Sequence, residues 1–159
     1  MSSTVDGIVA GARAESEVWA RALARDPDWQ PVFSPLVPDT LALGLETVYE
    51  AYLVHYGKPR LFVASGDHDA VLLGDYLYAH GLVRIAEAGG VDAVSVLANL
   101  LSRCAALRAD GAPGDGEAWV EAARELGGAP SDDAVAAALA LHAARTRRND
   151  RPTSSRVAP

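Results

Sequence analysis

Between Asp67 and Ala88 the apolar residues fall at helical rather than alternating intervals, and this constrains the fold more than any other feature. Leu73, Leu77 and Ile85 repeat along one face, with Val71, Tyr76 and Val83 beside them. Asp67 and Asp69 stand where a helix start favours short acceptors near the positive end of its dipole. Gly89-Gly90 supplies a stop, because glycine takes the left-handed cap conformation without a Cβ clash. Gly74 and Gly81 interrupt the helix and each cost about 1 kcal/mol relative to alanine. Glycines placed there let another backbone come close. The stretch therefore reads as a central, tightly packed helix.

The rest of the chain supplies helices around it. Thr4 or Asp6 can cap a first helix to about Arg25, with Ile8, Ala12, Val18, Trp19 and Leu23 as its apolar members. Four prolines between Asp26 and Asp39 forbid regular structure there, and Trp29 and Phe33 pin that loop by burial. Asp39 caps a second helix from Thr40 to about Tyr56, with Leu41, Leu45, Val48 and Tyr52 on one face. Gly57-Lys58-Pro59 ends it, and residues 60–64 fit an extended segment or a helical turn equally well. After the central helix come Val91 to about Ala109, with Val94, Leu97, Leu101 and Leu107 buried, and a loop over 111–116. A short helix follows from Glu117 to Leu126, and an alanine-rich one from Ser131 to about Arg147. Neither a repeat nor a strand pattern is visible. The class is an all-α bundle of about six helices in one domain, 1–144. The tail over 145–159 carries five arginines against one acid and reads as disordered.

Composition narrows the function. A chain of 159 residues can bury a real core as one domain. A net charge of −7 argues against nucleic acid as a partner, since that requires a basic face. Cys104 is the single cysteine, sits among leucines, and fits a small buried side chain in a reducing compartment. No apolar run approaches the roughly 20 residues of a membrane span, and no secretory signal precedes the first helix. The expected location is the cytoplasm.

Chemistry-bearing residues are sparse. His55, His68, His80 and His142 lack the close spacing of zinc ligands. His68-Asp69 is similar to the His-Asp pair of metal-dependent phosphohydrolases, but further ligands have no candidates. Glu46 and Glu50 share a helix face and could hold a divalent cation, although two carboxylates alone are a weak signal and a solvated face is the favoured reading. Nothing frames a serine or the cysteine as a nucleophile, and the 111–116 loop lacks the ending of a phosphate loop. The arginine-rich tail suits phosphates, an acidic surface or plain solvent.

One resemblance emerges from Leu53-Val54-His55, the Gly57-Lys58-Pro59 turn and the run Ala70-Val-Leu-Leu-Gly-Asp-Tyr-Leu-Tyr-Ala79. Together they resemble the trans-polyprenyl diphosphate synthase family over roughly residues 40 to 130. Segments 97–111 and 119–129 are similar in pattern. The family's first aspartate-rich motif and arginine pair should follow His55, but Tyr56-Gly57-Lys58-Pro59 stands there instead. The chain also ends before the place of the second such motif. Those motifs hold the magnesium ions that neutralise a departing diphosphate, and one lysine cannot replace several divalent ions.

The resemblance therefore implies part of the isoprenoid synthase fold without its catalytic metal, and no cofactor. It implies weak diphosphate contacts from Lys58 and Arg60. In that family the helix matching Ala70 to Ala79 belongs to the subunit interface, which nominates Val71, Leu73, Gly74, Tyr76 and Leu77. The leading expectation is a non-catalytic accessory subunit whose partner is itself or a catalytic prenyltransferase. A second is a small magnesium-dependent enzyme acting on allylic diphosphates, with Asp67, Asp69 and Asp75 as ligands. A third is an unrelated helical interaction protein.

Overall fold

A computed structural model describes residues 3–147, so all of the arginine-rich tail beyond Arg147 lies outside the described residues. The described chain is all-α: α1 (Ser3–Glu15), α2 (Glu17–Ala22), α3 (Asp39–Tyr56), α4 (Asp67–Ala109), α5 (Asp115–Glu125) and α6 (Asp132–Thr146), with a 3₁₀ turn at Ser34–Leu36. Six helices were expected and six are found, although two boundaries differ. The first helix breaks at Ser16, whose hydroxyl accepts from the Trp19 amide at 3.2 Å and caps a separate α2. The expected stop at Gly89-Gly90 is instead a kink inside α4, where Gly90 takes φ 72° and the helix resumes at once. That angle suits glycine alone, so the break is local and does not open a loop.

The central helix is α3, not α4. From Gly44 to Leu53 every residue of α3 is buried. A helix enclosed on all sides needs apolar or paired groups around its whole circumference. Two cores share it. On one side Leu45, Val48, Tyr49 and Tyr52 pack with Phe33, Leu97, Leu100, Cys104 and Trp119. On the other, Ala51 meets Val5, Ile8, Leu61, Phe62, Leu73 and Leu77. Phe33 is fully buried and stacks on Trp119 at 5.2 Å, so it pins the proline-rich loop as its sequence suggested.

Glycine lets α4 cross α3 closely. A Cβ at Gly81 would lie 2.5 Å from the Val48 side chain and 2.9 Å from its backbone nitrogen. One at Gly74 would strike the His55 ring. Residues 60–64 are extended, with an isolated bridge pairing Leu23 and Phe62. By length and composition α4 is long and apolar enough to cross a membrane, which the sequence reading did not anticipate. In this fold the same helix packs along α3 and α5.

The last helix ends at Thr146, close to the expected Arg147. Arg145, assigned from sequence to the tail, is docked: its guanidinium donates to Asp28 Oδ2 at 2.7 Å, and its carbonyl accepts from the Lys58 amide at 2.9 Å.

Candidate functional site

The structure separates residues the sequence had grouped. Arg60 is not near any opening: it is 1% exposed, with its guanidinium 2.6 Å from Glu46 and 2.9 Å from Glu50. Its ring-facing side lies 4.2 Å over Trp29. Burial alone would loosen the Arg60 proton, but the two carboxylates override that and fix the positive charge. Glu46 and Glu50 are therefore neither a solvated face nor an open cation site. Their other oxygens accept amides of Val32, Ser34, Arg60 and Leu61 at 2.8–3.0 Å, fastening two irregular segments to α3. Arg60 is not placed to contact a diphosphate, because its buried guanidinium is taken up by two carboxylates.

The nominated interface face is likewise turned inward. Leu73, Gly74 and Leu77 are buried within their own chain. Tyr76 stacks on Trp19 at 5.4 Å. Val71 alone of that group is open, at 51% exposure, with Leu72 and Val83 exposed elsewhere along α4. Gly74 makes room for the His55 ring of α3. Asp67, Asp69 and Asp75 do not converge: Asp69 accepts from Ser65, and Asp75 lies 3.7 Å from His55. No group of three or more such side chains suited to a metal occurs among the described residues.

Lys58 is where the structure does gather function-bearing groups. It opens onto a cleft of about 690 Å³ where the C-terminal ends of α3, α4 and α6 meet. His55, Tyr56, Gly57 and Lys58 form one wall, Ala105, Arg108 and Ala109 the second, Thr146 and Arg147 the third. Among the described residues no carboxylate lines it. In a chain of net charge −7, its only lysine thus faces two arginines and a histidine. Such segregation focuses positive potential in a concave site. A smaller hollow of about 270 Å³ between α2 and the start of α4 is largely apolar, lined by Val18, Trp19, Val63 and Leu73.

Behind the cleft lies a bonded network the sequence did not announce. Asp115, at the first turn of α5, takes three donors on one oxygen: Tyr52 at 2.6 Å, Arg108 at 2.5 Å and His142 Nε2 at 3.0 Å. Arg108 Nε also donates to the Tyr52 hydroxyl at 3.0 Å. Tyr49 completes the chain, 2.9 Å from His142 Nδ1. Burial raises the Tyr49 phenol and keeps it protonated, so it donates to Nδ1 while Nε2–H donates to Asp115.

Burial by itself would push the Asp115 carboxyl up. Hydrogen bonds from His142 and Tyr52, and the charge of Arg108, overcome it and hold the group well below the usual carboxylate range. The dipole of α5 acts in the same direction. Gly114, at φ 112°, makes the tight entry that brings Asp115 inward. Cys104, buried as expected, sits near Tyr52, and burial pushes its thiol up to about 11. That makes it a poor nucleophile at neutral pH.

Arg108, Asp115 and His142 were not legible in the sequence because they lie 7 and 27 residues apart around a glycine-rich loop. A lone histidine in the alanine-rich α6 was the one available signal. No family model matches the chain, and neither a curated protein nor a solved structure does.

Proposed function

We propose that this chain is a non-catalytic, prenyltransferase-like helical protein that holds a phosphate-bearing anion in the cleft around Lys58. The observation behind this reading is the collection of Lys58, Arg108, Arg147 and His55 on a concave, carboxylate-free surface of an acidic chain. Guanidinium and ammonium groups recognise phosphate oxygens by charge-assisted hydrogen bonds. The isoprenoid setting comes from the resemblance of segments 53–59 and 70–79, and it makes a diphosphate the natural ligand. Neither nucleic acid nor a resident metal enters this reading.

Calorimetric titration with inorganic pyrophosphate tests it, with and without magnesium. Saturable binding is expected, weakened about tenfold or more by Lys58→Ala. Arg103→Ala, which removes an exposed cation paired with Glu121, should leave it unchanged. Absence of saturable binding by the unmodified chain would sink the proposal. Magnesium-dependent turnover of an allylic diphosphate, abolished by Asp69→Ala, would replace it with the enzymatic reading.

A second reading, a partner subunit in isoprenoid synthesis, is favoured by the exposed Val71, Leu72 and Val83 on α4. The mate would be a second copy or a catalytic prenyltransferase. Light scattering of the chain alone and after mixing with such an enzyme tests it. A complex disrupted by paired Leu72→Glu and Val83→Glu substitutions supports the reading; an unchanged monomer in both samples removes it.

A further inference from the structure

We propose that Asp115 is the positioning residue of this cleft, fixing two of its three walls through a single carboxylate oxygen. The inference rests on the anion-binding reading above and adds to it how the cationic groups are held.

The first wall is α4. Arg108 would sweep a wide volume as a free side chain, but its Nη2 is held by Asp115 and its Nε by the Tyr52 hydroxyl. Both bonds use one edge of the guanidinium, so the plane is oriented while the remaining edge is left for a ligand. The second wall is α6, whose Val135, Leu139 and Leu141 pack half-buried against the core. Ala138 and His142 are its only buried residues. His142 is thus the buried polar tie of that helix to the core, bonded to Asp115 on one side and Tyr49 on the other. Three residues on, Arg145 bonds Asp28 and accepts the Lys58 amide, which sets Arg147 against Lys58 at the rim. Asp115 therefore orients Arg108 directly and places Arg147 through His142.

Coulomb's law makes the test discriminating, because the two roles open to a carboxylate here have opposite signs. If Asp115 merely contributes charge, removing it makes the cleft more positive and tightens anion binding. If it positions the walls, removing it weakens binding despite the gain in net charge.

The experiment is pyrophosphate titration of the full chain, Asp115→Asn, Tyr52→Phe and Leu97→Ala, with amide hydrogen exchange of residues 133–147. Asp115→Asn should bind about tenfold more weakly. Tyr52→Phe leaves the charge untouched, breaks the bridge to Arg108, and should weaken binding in the same direction even if Asp115→Asn fails to fold. Leu97→Ala lowers stability from a core position that does not line the cleft and should keep the original affinity. Pyrophosphate should slow exchange in the last turns of α6 in the unmodified chain and not in Asp115→Asn. Equal or tighter binding by Asp115→Asn and Tyr52→Phe overturns the positioning role and leaves the anion site standing. No binding by the unmodified chain overturns both.

Discussion

Arg60 and Glu46 meet at 2.6 Å with neither side chain touching solvent. With Glu50 they form a buried group of two carboxylates and one guanidinium, roofed by Trp29. Such a cluster stabilises little relative to apolar replacements of similar volume, yet it is costly to break by halves. Arg60→Met leaves two uncompensated carboxylates inside α3 and should destabilise the chain by about 3–5 kcal/mol. Combining it with Glu46→Gln and Glu50→Gln keeps acceptors for the loop amides while removing the orphaned charge, and should recover part of that loss. Urea unfolding of both variants decides this. A triple variant no more stable than Arg60→Met would show that the charges were not the cost.

Gly81 offers a test in which the sign alone is informative. Alanine is favoured over glycine in a helix interior by about 1 kcal/mol, so propensity predicts that Gly81→Ala stabilises. The crossing with α3 predicts the reverse, since the new Cβ would meet Val48 Cγ2 at 2.5 Å and the Gly44 carbonyl at 3.2 Å. Backbone cannot move aside as a flexible side chain can, so a net loss of about 1–3 kcal/mol is expected. A raised denaturation midpoint would mean that α3 and α4 are not this close.

Asp115 ties stability to acid. Its folded carboxyl is held below the unfolded value of 3.8, so its contribution is complete above that value. It is lost progressively as the pH falls toward the folded value. The stability gap between the unmodified chain and Asp115→Asn should therefore be widest near neutrality and shrink below about pH 4. A gap that stays constant through acid, measured by urea unfolding, would show that Asp115 is not held as a carboxylate by His142, Tyr52 and Arg108.

Helix positions were legible in the sequence because they rest on local information: spacing, capping and glycine or proline punctuation. The fold class follows from these, and so does the burial of Leu45, Val48, Phe33 and Cys104. Which helix is central was not legible. Glu46 and Glu50 made one face of α3 look solvated, and only the distant Arg60 turns that face into core. The same limit explains the inward turn of Leu73 and Leu77, whose partners Val5 and Ile8 come from far up the chain. At the cleft, Lys58 was singled out only by the family resemblance of its turn, whereas Arg108 and Arg147 reach it through packing. Asp115 sits in a stretch that composition marks as a linker, so its role exists only in three dimensions.

His55 gives the cleft a pH dependence of defined direction. Burial lowers the pKa of its ring below the usual 6.5, and Asp75 at 3.7 Å offsets this only in part. The ring is therefore uncharged at neutral pH, while Arg108 across the cleft stays cationic. An anion bound beside His55 favours the charged ring, so by linkage binding must tighten as the ring takes up a proton. Sulfate is the suitable probe, because it keeps its double charge while pyrophosphate itself titrates. Its affinity should rise as the pH falls from about 7.5 to about 5.5, the range in which an imidazole changes charge. His55→Asn should flatten that rise without removing binding at the upper end, where Lys58, Arg108 and Arg147 carry the site. An affinity independent of pH in the unmodified chain would place the anion away from His55, and with it away from this cleft.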